Sequence, residues 1–153
     1  MKKIKLFDPY TDKFEKIAIN RVLKSNFWAS GAGNGNGVTG NVAIGYQAGT
    51  GPTDNSNENI AIGTNTIKYV KGTASANVRY NVAIGYEALH DNTTGTFNAA
   101  VGREALSKIT TASQSTGLGV YAGRYATNSA NTFVGYSAGE ALNEGDENIF
   151  IMF

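Results

Sequence analysis

Cysteine is absent from this chain of 153 residues, and it has only two prolines, one histidine, one tryptophan and 16% charged residues. Without cysteine there is neither a disulfide framework nor a thiolate metal site. The lone histidine, His90, falls in the polar run His90-Asp-Asn-Thr-Thr, where it reads as an exposed loop residue rather than a general base. No stretch approaches the ~20 apolar residues of a membrane-spanning helix, so no membrane insertion is expected. Met1-Lys-Lys opens like a secretion signal, but Ile4-Lys-Leu-Phe-Asp-Pro is too short and too polar to continue one. The expectation is a chain used without an export or anchoring device of its own.

Large apolar side chains are also thin on the ground, whereas glycine (19) and asparagine (17) abound. Their distribution is periodic. One phrase, Asn, aliphatic, small, aliphatic, Gly, returns as Asn41-Val-Ala-Ile-Gly45, Asn59-Ile-Ala-Ile-Gly63, Asn81-Val-Ala-Ile-Gly85, Asn98-Ala-Ala-Val-Gly102, Ser115-Thr-Gly-Leu-Gly119, Asn131-Thr-Phe-Val-Gly135 and Asn148-Ile-Phe-Ile-Met152. Successive phrase ends lie 18, 22, 17, 17, 16 and 17 residues apart. This is the signature of stacked repeats. The expected fold is all-β: a β-solenoid or β-roll of about seven turns of ~17 residues over 36–153, preceded by a small attachment segment at 1–35.

Within the phrase a strand's period of two puts residues such as Val42 and Ile44 on one face and Ala43 on the other. Assigning the larger residues to the interior predicts a stacked core of Ile44, Ile62, Ile84, Val101, Leu118, Val134 and Ile151. The opening Asn is suited to satisfying turn backbone and bonding to its counterparts above and below. After each glycine comes a second motif, Tyr46-Gln-Ala-Gly, Tyr86-Glu-Ala-Leu, Arg103-Glu-Ala-Leu, Val120-Tyr-Ala-Gly or Tyr136-Ser-Ala-Gly, whose repeated small residue lets neighbouring turns approach. The long interval between Gly63 and Gly85 is expected to bulge over 68–77. Six intervals at ~4.8 Å give a stack only about 30 Å long.

Residues 1–30 carry seven Lys/Arg against three Asp/Glu, and the rest of the chain six against nine. A hairpin is expected over 3–19, then a helical turn or extended arm to Trp28 and a glycine-rich joint over 29–40. Phe7, Tyr10, Phe14, Arg21, Phe27 and Trp28 are candidate residues for docking on another protein, because buried aromatic and arginine anchors dominate protein interfaces. The modest basic excess favours a protein partner over nucleic acid. At the other end Phe133, Phe150 and Phe153 suggest a plug where three chains meet.

Candidate chemistry is sparse. Glu87 and Glu104 occupy equivalent places in adjacent turns, as a glycosidase pair would, but the same position holds Gln47, Asn65, Tyr121 and Ser137 elsewhere, which fits a tolerant solvent face. Tyr46, Tyr86, Tyr136, Tyr121 and Tyr125 could present flat surfaces to sugar rings. Gly31-Ala-Gly-Asn-Gly-Asn-Gly lacks the Lys-Ser/Thr of a phosphate loop. No enzyme activity, cofactor or metal is expected.

From about residue 38 onward, Asn-Val-Ala-Ile-Gly followed by Tyr-x-Ala-Gly and a polar loop resembles the head repeats of trimeric autotransporter adhesins and similar repeats in bacteriophage fibre proteins. The resemblance implies a homotrimer of solenoids about a common axis. The sequence carries no secretion signal, coiled-coil stalk or membrane anchor of the adhesin kind, and its repeats are longer than the tightest of theirs. The expectation is therefore a virion protein, a short head fibre or capsid decoration docked to a capsid or tail protein by its N-terminal segment. The alternative is a receptor-binding tail-fibre or adhesin module that recognises host-surface glycans. A trimeric acyltransferase of the left-handed β-helix type, with six-residue repeats and a histidine between subunits, fits less well.

Overall fold

The computed structural model describes residues 40–49, 57–68, 78–142 and 144–153, and the backbone of 27–30. The eight strands among the described residues are β1 (Phe27–Ser30), β2 (Asn41–Ile44), β3 (Ile60–Ile62), β4 (Val82–Ile84), β5 (Ala99–Val101), β6 (Thr116–Leu118), β7 (Thr132–Val134) and β8 (Ile149–Ile151). They form one sheet in chain order. From β2 to β8 every pairing is parallel and joins equivalent positions of successive phrases, so Ile44 faces Ile62, which faces Ile84, and so on to Ile151. There is no helix among the described residues. From β2 to β8 the described residues form a β-solenoid.

β1 departs from the pattern. It pairs antiparallel with β2, Phe27 opposite Ile44 and Ser30 opposite Asn41. Residues 27 and 28 are thus extended backbone rather than a helical turn, and 29–30 belong to a strand rather than to the joint. β1 covers an edge of β2 that would otherwise offer its unpaired amides to another chain. The hairpin expected over 3–19, with Phe7, Tyr10, Phe14 and Arg21, the joint beyond Ser30 and the bulge beyond Lys68 lie outside the described residues.

Six of the seven phrases open on asparagine, and these amides form a ladder that is buried at Asn59, Asn81, Asn98 and Asn131. The backbone N–H of Asn59 donates to Asn41 Oδ1 (2.8 Å), that of Asn81 to Asn59 Oδ1 (3.0 Å), that of Asn98 to Asn81 Oδ1 (2.9 Å) and that of Ser115 to Asn98 Oδ1 (2.9 Å). The Nδ2 groups of Asn59, Asn81 and Asn98 donate to the carbonyls of Val78, Gly95 and Ala112. These side chains must point inward to do so. With a period of two, the third residue of the phrase then also points inward, and the second and fourth point out.

The stacked core predicted at Ile44, Ile62, Ile84, Val101, Leu118, Val134 and Ile151 is therefore corrected. These residues do form one column in register, but on the outer face of the sheet, where Ile84 is 37% and Leu118 48% exposed. The interior column is the adjacent one, with Ala61, Ala83, Ala100 and Phe133 buried. A turn of ~17 residues that already encloses an asparagine ladder has no room for bulky aliphatics on every strand.

What completes the interior comes from the motif after the glycine. Ala88, Ala105, Ala122 and Ala138 are fully buried, and the next residue alternates in size against the strand: Ile67, Leu89 and Leu106 accompany Ala61, Ala83 and Ala100, whereas Gly139 accompanies Phe133. A Cβ on Gly139 would lie 2.3 Å from the Phe133 ring, and one on Gly123 would lie 2.4 Å from it. Phe133 and Phe150 stack at 5.7 Å with an interplanar angle of 17°. Phe133 thus fills its own chain's interior and is no plug between chains. Phe153 is fully exposed.

The corner runs through alternating backbone hands. Glu87 (φ 54°) and Leu89 (φ 51°), and their equivalents Glu104 and Leu106, are left-handed non-glycine residues. That alternation sends amides to both neighbours: Glu104 N–H donates to the Tyr86 carbonyl in the turn before, and Leu106 N–H to the Ala122 carbonyl in the turn after. The phrase-end glycine is required by contact as well as by angle, since a Cβ on Gly102 (φ 135°) would lie 2.4 Å from the Gly119 carbonyl oxygen.

Candidate functional site

Two outer surfaces carry side chains that the interior does not explain. The first is the outward face of the sheet, built from two columns: Val42, Ile60, Val82, Ala99, Thr116, Thr132 and Ile149, and the column from Ile44 to Ile151. None of these residues is charged. Ile149 and Ile151 at its far end are 73% and 60% exposed. An uncharged aliphatic strip running the length of a ladder is larger than the isolated apolar residues usual on a monomer's surface.

The second surface is the shoulder that follows each glycine. The residue after the glycine is Tyr46, Thr64, Tyr86, Arg103, Val120 and Tyr136 in successive turns, and Tyr46, Tyr86 and Tyr136 are exposed. The Arg103 guanidinium carbon lies 5.6 Å from the Tyr86 ring centroid and 5.7 Å from that of Tyr121. Arg124 lies 5.1 Å from the Tyr121 ring and 5.0 Å from that of Tyr125. Tyr136 meets Tyr121 edge-on at 6.0 Å. The five tyrosines singled out from the sequence thus divide: Tyr86, Tyr121, Tyr125 and Tyr136 belong to one cluster, which sequence reasoning found without its arginines, and Tyr46 stands two turns before Tyr86.

Carboxylates bind this shoulder together. Glu104 is buried and pairs with Arg124 Nη2 at 2.5 Å and with Arg103 Nε at 3.3 Å, and Glu140 lies 3.8 Å from Arg124 Nη1. Glu87 accepts from Asn65 Nδ2 at 3.4 Å and from the Tyr86 hydroxyl, and that hydrogen bond, aided by the carboxylate's charge, holds the Tyr86 phenol above its ordinary pKa. The two glutamates considered as a glycosidase pair are therefore each engaged by their own protein partners.

A separate aromatic pair, unforeseen in the sequence, is Tyr80 over Phe97, with ring centroids 4.8 Å apart and an interplanar angle of 13°. Both are exposed and left-handed (φ 59° each). They precede the phrase asparagine by one residue, a position whose equivalence is visible in the sequence only once the Asn is taken as the origin of the repeat.

His90 is partly buried, with Nδ1 2.5 Å from Asp91 Oδ1, and Lys108 of the following turn reaches Asp91 Oδ2 at 3.0 Å. Partial burial pushes the Asp91 carboxyl up, but hydrogen bonds from Lys108 and His90 and their charges outweigh it and hold the group below its ordinary value. This is a link between turns. Of the docking candidates, Phe27 and Trp28 have their backbone on β1, and the other four lie outside the described residues. No protein-family profile, curated protein or solved structure matches this chain.

Proposed function

We propose that the chain is a structural virion protein: a short homotrimeric phage fibre, a head fibre or capsid decoration, docked to the particle through residues 1–35 and projecting its solenoid outward. The observation that carries this reading is the uncharged aliphatic strip on the outer sheet face. Alanines, asparagines, Phe133 and the corner residues Ile67, Leu89 and Leu106 fill the interior, so the isoleucines, valines and leucine of the outer face stand outside it, half-buried by their ladder neighbours or exposed. Burying such side chains contributes about 1.5–3 kcal/mol each, a gain that association with further copies of the chain would supply. Three copies about an axis parallel to the stack would bring like residues together at each level, so that Thr116 and Thr132 meet threonines and Ile84 meets isoleucine. The repeat resemblance supports the number three and the virion setting.

Sedimentation or light scattering of the native protein is expected to give three chains per particle, and a single-chain mass would refute the reading. Attachment is tested by truncation. Removing residues 1–26, which spares β1 and its cover of the β2 edge, is expected to leave the trimer intact but unable to join the particle. Undiminished incorporation would move the attachment site elsewhere.

A further inference from the structure

The shoulder cluster is poorly accounted for by packing alone. Tyr86, Arg103 and Tyr121 alternate ring and guanidinium over three successive turns, and Arg124 and Tyr125 extend the alternation within the turn of Tyr121. The Arg103 side chain is 58% exposed; besides its two ring contacts its hydrogen bond among the described residues runs from Nε to Glu104, and its two Nη groups donate to no protein acceptor among them. Flanking rings and the Glu104 contact hold the guanidinium's orientation, so its forked donors face solvent with little freedom left to lose. Beside them stand the exposed rings of Tyr86 and Tyr136 and the Glu87 carboxylate. Open aromatic faces next to planar, doubly hydrogen-bonding groups are what a pyranose requires: its C–H face lies on a ring, and a pair of adjacent hydroxyls bridges a guanidinium fork or a carboxylate.

We propose that the Tyr86–Arg103–Tyr121–Tyr136 shoulder is a binding site for neutral oligosaccharide, extended along the stack so that successive sugars meet successive turns. Charge decides between ligand classes. Arg103 and Arg124 are matched by Glu87, Glu104 and Glu140, which leaves no positive excess for a nucleic acid or a sulfated chain. The shoulder lies past the glycine bend rather than on the outer sheet face, and its column includes a charged arginine, so the site stands whether or not copies associate through the aliphatic strip.

Native affinity electrophoresis of the full chain in gels containing dextran, mannan or galactan, with heparin as the anionic arm, tests the site. Retardation by at least one neutral polysaccharide is expected, with affinity falling about tenfold, or ~1.4 kcal/mol, in Tyr86→Ala. Arg103→Lys keeps the charge and removes the fork, and it is expected to weaken binding comparably. Because Arg103 is largely exposed, this second variant should melt with the parent, which separates lost binding from lost folding. Absence of retardation in all three neutral gels, retardation by heparin alone, or equal retardation of parent and Arg103→Lys would each overturn the proposal.

Discussion

Asparagine at the head of each phrase acts as an internal fastening: one side-chain oxygen accepts the next turn's backbone N–H, and the amide nitrogen closes a carbonyl. Ser115 is the natural exception. Its hydroxyl serves Asn131 N–H at 3.3 Å, longer than the 2.8–3.0 Å of the asparagine-to-backbone links earlier in the ladder. Asn81→Ala would strand the buried N–H of Asn98 and is expected to cost about 2 kcal/mol or more. Ser115→Asn should do the reverse, raising the melting temperature by about 2–4 °C for each kcal/mol recovered, with the Asn128 carbonyl in place to receive the new amide. Thermal melts followed by circular dichroism measure both, and a Ser115→Asn variant less stable than the parent would show that the ladder is not what limits that turn. The asparagine's role was legible in the sequence, because a polar residue repeated at the same point in a strand needs a partner in register. Its consequence for the neighbouring residues was not, since size alone assigned the aliphatics to the interior and the fixed direction of the amide overrode size.

At the level of the element, one turn's strand and its corner share a fixed volume. Gly123 and Gly139 exist because Phe133 occupies the space their side chains would fill, and Gly117 makes room for Leu106, whose Cγ would lie 2.8 Å from a Cβ there. Gly139→Leu is expected to unfold the C-terminal turns, and Phe133→Ala to cost about 3–5 kcal/mol. Combined, they restore the arrangement of Ala100 with Leu106, so the double variant should be more stable than either single one. Additive losses in chemical denaturation would disprove the exchange. This compensation could not be read along the sequence, because its partners lie six residues apart within a turn and also belong to adjacent turns.

For the whole molecule, the interior and the outer strip make separate demands. Leu118 is nearly half exposed on the outer face of the sheet, so Leu118→Glu should preserve the β-solenoid signature of a single coil while placing an unpaired charge between copies. Sedimentation is expected to report one chain in place of three. A trimer that tolerates the charge would exclude the outer sheet face as the contact. Should the wild-type protein itself prove monomeric, the strip loses its proposed partner, but the sugar-binding shoulder keeps its own test.

The sequence by itself determined that the repeats would stack, at what interval and in parallel register, because a repeated strand phrase with a glycine stop and too few large residues for a globular core has no other way to bury itself. Only the tertiary structure decided which face lies inside. Inward asparagines, backbone of alternating hand at the corners and volume shared between Phe133 and its glycines all depend on neighbouring turns. The same holds for the shoulder: its tyrosines were visible one by one, but Arg103 and the two rings that flank it, Tyr86 and Tyr121, come from three different turns, and only closing the coil brings them together.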